Sequence, residues 1–325
     1  MLRAENLLPL DWLRHGFSTR RGGVSSAYGG GSLNLGVTPE DTREAVERNR
    51  ELFLRAIGAC GDGRGRVARG AEPSTRVKDP CHTVWPIVAM RQFHSSLVHV
   101  IDDRHLPKAE DPHLPKTEDP HLPKAGRCGA PAPAPEPLRG DGLISDRAGI
   151  VLAVRTADCL PVLVADPVHR AVGAFHAGWR GTLARIVEKG VGEMRRRFGS
   201  DPGDIRAAIG PGIHRCCYQV SEELREKFAS QFAYAEQLFE DVFDSDPVRK
   251  KYPLLFMNMR APGHGEPART VHLDLVEANR RQLRDAGVGD IWISDLCTSC
   301  RADLFFSHRR DKGVTGRMMS AVGIA

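Results

Sequence analysis

The segment Arg155 to Gly181 constrains the chain more than any other, because it places a thiol and an imidazole on what reads as one hairpin. Leu160 to Ala165 and Ala171 to Phe175 are apolar and β-branched runs, and Asp166-Pro-Val-His169 between them has turn composition. Pairing Ala165 with Arg170 sets Cys159 directly opposite His176. Cross-strand partners of this kind share a face, with Cβ atoms roughly 5 Å apart. A thiol and an imidazole at that separation can share a metal ion or act as nucleophile and base.

The remaining elements alternate. Thr38-Pro39 is expected to cap a helix running to about Ile57, with proline at its first position. Ile150 to Val154 reads as a short buried strand. Thr182 to Phe198 repeats Leu183, Ile186, Val187, Val191 and Met194 at helical spacing, and Gly199 ends it. Ile205 to Ile209 is a strand, Asp274 to Ala286 a helix closed by Gly287, and Ile291 to Ser294 and Met318 to Ile324 are strands. Hairpins mixed with single helices predict an α+β layered fold rather than a doubly wound parallel sheet.

Three stretches depart from this pattern. Cys60 to Thr83 is rich in Gly, Arg and Pro. Asp103 to Pro137 holds an octapeptide repeat that starts at His105, His113 and His121, each followed by Leu-Pro-Lys. Two prolines in each full repeat forbid a helix or a central strand, so a solvated insertion is expected, with metal binding by its histidines the weaker reading. Ala229 to Arg269 carries mixed signals.

The chain has 325 residues, 41% hydrophobic and 27% charged, enough to bury a sizeable core. Its net charge of +5 is scattered, which argues for small anionic ligands and against nucleic acid. No apolar run reaches the roughly 18 residues a membrane helix needs. Arg3, Glu5, Asp11 and Arg14 interrupt the N-terminal segment, unlike a secretory signal, so a cytoplasmic location and reduced cysteines are expected.

Cys159 and His176 would supply two ligands of a catalytic zinc site, which usually has three and one open position. His94 is the best third candidate and His99 the next; the segment around them, Arg91 to Ile101, looks strand-like. Arg20 and Arg21 beside Gly22-Gly23 could cradle phosphate, and Arg180 is a second candidate near the metal. Asn34 could bond a base or ribose. Asp158 could act as acid or base, although strand alternation points it away from Cys159. The plainer readings are solvated arginines, a structural ion pair at Arg180 and a capping aspartate. Cys297-Thr-Ser-Cys300 with Cys216-Cys217 could suggest a second zinc, but adjacent cysteines are not the usual metal knuckle, so packed reduced thiols are the expected use.

Several blocks, in order, carry a resemblance. They are Gly16-Phe-Ser-Thr-Arg-Arg-Gly-Gly23, Ser32-Leu-Asn-Leu-Gly36, Gln92-Phe-His94, Gly140-Asp-Gly-Leu-Ile-Ser-Asp146, Thr156-Ala-Asp-Cys-Leu-Pro161 and His176-Ala-Gly-Trp-Arg-Gly181. Ile209-Gly-Pro-Gly-Ile213, Cys216-Cys-Tyr218, Phe305-Phe-Ser-His-Arg-Arg-Asp311 and Thr315-Gly-Arg317 complete them. Together they resemble the YfiH-like, or laccase-domain, family; Gly212 departs from it, since many members carry cysteine there. The resemblance implies a single domain over residues 1–325 with a four-layer α/β/β/α sandwich. It also implies a zinc site on His94, Cys159 and His176. Family members are described as purine nucleoside phosphorylases that also deaminate adenosine and cleave methylthioadenosine, as polyphenol oxidases, and as amidases that edit peptidoglycan precursors.

Laccase chemistry needs a trinuclear copper cluster as well as a Cys–His₂ centre. No His-x-His pair exists in the sequence, so copper ranks behind zinc. The expectation is a zinc enzyme acting on purine nucleosides and phosphate. Its rivals are a metal-free amidase with Cys159 as nucleophile and His176 as base, and a non-enzymatic metal-binding scaffold.

Overall fold

The computed structural model describes residues 1–61, 83–102, 105, 138–243 and 269–325. Apart from His105, the octapeptide repeat lies outside them, as do most of both expected insertions, Cys81 and Cys128. At the edges of the first insertion Cys60 pairs with Val84 and Gly61 with Thr83 in a two-stranded ladder. Cys60 is disulfide-bonded, against the expectation of reduced thiols throughout.

Two sheets form the centre. The smaller has the strands Leu13–Phe17, Met318–Ile324, Val151–Thr156 and Ile87–Ala89 in that spatial order. The larger runs Asp290–Ile293, Arg206–Ile209, Leu160–Asp166, Ala171–Ala177, Gly142–Ser145 and Val98–Val100. Both mix parallel and antiparallel pairs.

Alternation along the strands sets the layers. Leu163, Ala165, Val172 and Ala174 of the larger sheet meet Leu152, Val154, Val322 and Ile324 of the smaller in one core. Their neighbours Val162, Val164, Ala171 and Phe175 face the other way, against Ile186, Val187, Val191 and Met194 of the helix Ile186–Phe198. Leu275, Ala278 and Leu283 of the helix Leu275–Asp285 join that outer layer. On the far side Val151, Ala153, Met319 and Ala321 pack on Phe53, Leu54 and Ile57 of the helix Arg43–Ile57. Helix, sheet, sheet and helix therefore stack in the expected four layers. Every residue of the strands Leu160–Asp166, Ala171–Ala177 and Met318–Ile324 is buried, which is why these central strands read as nearly continuous apolar runs.

Several boundaries move. The first helix is capped by Thr42, whose side chain accepts from Ala45 N, and not by Thr38. The expected helix Thr182–Phe198 is two: Trp179–Leu183, and Ile186–Phe198 after Arg185 takes a φ of 61°. The hairpin pairs Asp166 with Ala171 and Pro161 with His176, so its register is shifted by two residues from the expected one. The cause is local. Asp166 Oδ1 accepts from the amides of Val168 (2.8 Å) and His169 (3.1 Å), and Arg170 adopts a φ of 50°, so Asp166 ends the strand and the turn runs from Pro167 to Arg170 rather than from Asp166 to His169. A shift of two keeps every side chain on its face, so Cys159 and His176 still point the same way.

His15, on the first strand, is 1% exposed and accepts from Ala4 N at 3.1 Å through Nε2. Burial, and secondarily the Arg3 charge, lower its pKa to about 4. A histidine whose folded pKa lies below its unfolded value costs stability as pH falls from the unfolded value towards the folded one. Stability should therefore decline between about pH 6.5 and about pH 4. In His15→Gln, denaturant midpoints followed across that range should fall less steeply than in the wild type.

Candidate metal centre and active-site cavity

Three separate chain segments converge on one carboxylate. Asp141 is fully buried just ahead of the strand Gly142–Ser145. Its Oδ1 accepts from His176 Nδ1 at 2.8 Å and from His94 N at 3.1 Å. Its Oδ2 accepts from Ser95 N at 2.5 Å and Ser95 Oγ at 2.7 Å. His176 is thereby held with Nδ1 protonated and Nε2 free to face the cavity, the usual outer support of a metal-binding histidine. His94 is not on a strand: it sits in a loop with a φ of 64°, fixed by the same carboxylate. Cys159 follows Asp158, whose φ of 94° turns the chain between the strands Val151–Thr156 and Leu160–Asp166.

The result brings Cys159 Sγ to 3.7 Å from His94 Nε2, and the ligand atoms of His94, Cys159 and His176 all lie within 4.8 Å of one another. The two imidazoles meet edge to face at 4.9 Å. Gly178 leaves the necessary space, since a Cβ there would stand 2.9 Å from both Cys159 Sγ and His94 Cδ2. One thiolate and two imidazoles on one side of a cavity fit a zinc-type ion, with the fourth position open to it.

The electrostatics are those of a coupled set. Burial opposes ionisation of Cys159, but the His176 charge and hydrogen bonds from both histidines outweigh it and bring the thiol to about 6. Burial opposes charge on His176 as well, yet Cys159 and Asp141 raise it to about 9. Asp141 is likewise resisted by burial and held well below the carboxylate range by His176 and Ser95. A cation entering here meets a ready thiolate and displaces a proton from His176.

These groups open on a cavity of about 580 Å³. Its walls carry Arg91, Arg155, Arg180, Arg309 and Arg317, with Trp179 and Tyr218. Arg155 donates to Met90 O at 3.1 Å, and its pKa is lowered by burial and then by Arg317. Arg180 lies over the Trp179 ring at 4.3 Å.

The other residues singled out in the sequence fall elsewhere. Arg20 donates to Tyr28 O (2.5 Å) and Ala302 O (3.2 Å), and Arg21 to Asp303 O (2.6 Å); neither lines the cavity. Asn34 is buried, donating to Gly36 O and Asp41 and accepting from the amides of Gly36 and Arg317, so it holds two cavity-wall residues from behind. Asp158 lines the cavity, but Oδ1 accepts from Thr298 Oγ1 and Oδ2 from Arg309 N, both at 2.7 Å. His99 bonds Arg139 O at 2.8 Å, and neither metal-competent group includes it. Sequence reasoning gave no role to Asp141 or Arg155, and for Arg309 and Arg317 it left open a clamp on the C-terminal strand or a face towards the ligand; both line the cavity. Arg155 had a signal, as the one charged residue of a buried strand.

Comparison with known proteins identifies the family and the fold. A family model described as multi-copper polyphenol oxidoreductase laccase matches residues 14–68 and 59–325. A purine nucleoside phosphorylase of Deinococcus radiodurans is 34% identical over 100% of this chain and 92% of its own. The crystal structure of the Bacillus licheniformis hypothetical protein YfiH superposes with a TM-score of 0.67 at 30% identity, covering 97% of this chain and 94% of that one. YlmD from Geobacillus stearothermophilus gives 0.66 at 28% identity, covering 97% and 93%. With its four layers and near-complete coverage, the chain belongs to the YfiH-like family, whose model carries the laccase description.

Proposed function

We propose that this chain is a cytoplasmic, zinc-dependent purine nucleoside phosphorylase that also deaminates adenosine and cleaves methylthioadenosine with phosphate. The observation that carries the reading is that the His94–Cys159–His176 group and a set of arginines open on one cavity. Its volume of about 580 Å³ falls within the range of small-molecule sites. The name of the Deinococcus radiodurans relative supports the substrate class. The laccase description is the weaker guide, because among the described residues a single donor group contains histidine, and a multicopper oxidase needs several.

Zinc bound there would supply Lewis acidity and lower the pKa of a bound water towards about 7. The protein's own groups do the rest. Asp141 fixes the tautomer of His176 and the loop that presents His94. Arg155 and Arg317, with Arg180, hold phosphate, since guanidinium forks match its oxygens. This moves the phosphate role away from Arg20 and Arg21, which do not line the cavity. Asp158 works by position, bracing the backbone of Arg309. Trp179 and Tyr218 give the base an apolar wall.

A second reading has one observation in its favour. The lowered Cys159 and raised His176 also describe a thiolate–imidazolium pair, as in a metal-free amidase. The two readings separate when metal is removed. Activity of the phosphorylase falls on chelation and returns with zinc; that of the amidase survives chelation and is lost on thiol alkylation.

Protein of known zinc content, given adenosine, should release adenine and ribose 1-phosphate only when phosphate is present, and inosine without it. Cys159→Ser should lose the zinc of the His94–Cys159–His176 centre and at least about 100-fold in kcat/KM. Absence of nucleoside turnover at full zinc loading would reject the reading. Asp141→Asn should weaken zinc binding by about 10- to 100-fold with the fold retained, measured by competition with a chromogenic chelator. Arg155→Gln or Arg317→Gln should raise KM for phosphate about tenfold or more and leave inosine formation nearly unchanged. An equal loss in both reactions would remove these arginines from the phosphate site.

A further inference from the structure

The strands Arg206–Ile209 and Asp290–Ile293 lie side by side and parallel, so the loops that follow them leave the sheet at the same end. Gly212 and Cys297 form a parallel bridge there, and Thr298 N donates to Gly212 O at 2.9 Å. The first loop then turns, with the amides of Cys217 and Tyr218 both donating to His214 O. The second turns at Cys297, whose carbonyl accepts from Arg301 N at 3.0 Å. These two turns gather Cys216, Cys217, Cys297 and Cys300 with all four sulfurs within 4.8 Å of one another.

The spacing has a specific meaning. Sγ of Cys216 is 3.8 Å from that of Cys217 and 3.5 Å from that of Cys300, and Cys217 Sγ is 3.3 Å from Cys300 Sγ. A disulfide needs about 2.05 Å, and all four cysteines are free. Zinc–sulfur bonds of about 2.3 Å give a tetrahedron with edges of about 3.8 Å. His214 N points at Cys297 Sγ at 3.4 Å, an amide donor placed to stabilise a thiolate. The adjacency of Cys216 and Cys217 is no obstacle. On a strand they would face opposite ways, but in this turn both reach Cys300. Cys297 is buried, while Cys216 and Cys300 are exposed and give an ion a way in.

We propose that these four thiolates hold a structural zinc ion, distinct from the His94–Cys159–His176 centre. On binding, each thiol releases its proton to solvent, and all four positions of the ion are filled by sulfur. A closed site of this kind braces and does not catalyse. It ties together two loops that support the active-site wall. Ile213 and Tyr218 line the cavity on one loop, and on the other Thr298 Oγ1 bonds Asp158 while Thr298 O accepts from Arg310 at 2.9 Å.

The test is independent of the purine reading. The full chain is purified under reductant with zinc supplied, and metal per chain is counted by mass spectrometry of the elements. Two zinc ions are expected in the wild type, one in Cys159→Ser, and one in the double variant Cys216→Ser/Cys300→Ser. Amide exchange in residues 212–218 and 297–301 should accelerate in the double variant. Should that variant fail to fold, cobalt-substituted wild type gives the answer, because a tetrathiolate site adds a second cobalt equivalent with strong sulfur-to-metal charge transfer. One metal per chain that disappears in Cys159→Ser overturns the proposal. So does a disulfide between Cys300 and either Cys216 or Cys217 in zinc-supplied, reduced protein.

Discussion

The Asp141 carboxylate is the interaction on which the site depends. It is buried, its ion-pair partner among the described residues is His176 and no arginine or lysine, and an isolated carboxylate in that position would be costly. It is tolerated because it accepts from an imidazole, a hydroxyl and the amides of His94 and Ser95. Those donors belong to the strand Ala171–Ala177 and to the loop after Arg91. One charge therefore sets the separation of the two histidines of the candidate metal centre, which lie far apart in the chain. The left-handed backbone at His94 is a strained conformation for a side chain of that size, and it persists because two consecutive amides are committed to Asp141.

The frame beneath is rigid for a different reason. The hairpin that carries Cys159 and His176 is buried on both faces, between the second sheet and the helix Ile186–Phe198. Close approaches fix its position. A Cβ at Gly190 would stand 2.3 Å from the Phe175 ring, so the helix can settle onto the strand only because that position is glycine. His176 thus projects from a packed strand, Cys159 from the bend just ahead of one, and His94 from a loop.

Much of this was legible in the sequence, and the failures share a cause. The hairpin, the buried strands and the face shared by Cys159 and His176 follow from side-chain pattern alone. The register did not, because the aspartate-capped turn, of the expected length, begins one residue later in the chain than composition suggested. The phosphate role first given to Arg20 and Arg21 followed from their place beside glycines. Neighbours in the chain cannot reveal that carbonyls near residues 28 and 302 occupy those guanidinium groups. Asp141 escaped for the same reason. Its partners are 35 and 46 positions away, and no local spacing encodes that convergence.

The two cysteine-containing groups differ in a way that explains how one fold can hold both. The His94–Cys159–His176 group has three donors, mixed nitrogen and sulfur, at the wall of a cavity ringed by arginines. Three donors leave a coordination position open, and the surrounding positive charge favours an anionic co-substrate over a second metal ion. The four-cysteine group has a full set of soft donors and lies where two parallel strands release their loops. Nothing remains for a substrate to bind there. Its contribution to the chemistry runs through Thr298 and Tyr218, which shape the wall facing the open site. Loss of the four-cysteine site should therefore loosen that wall and leave the donors of the catalytic site in place.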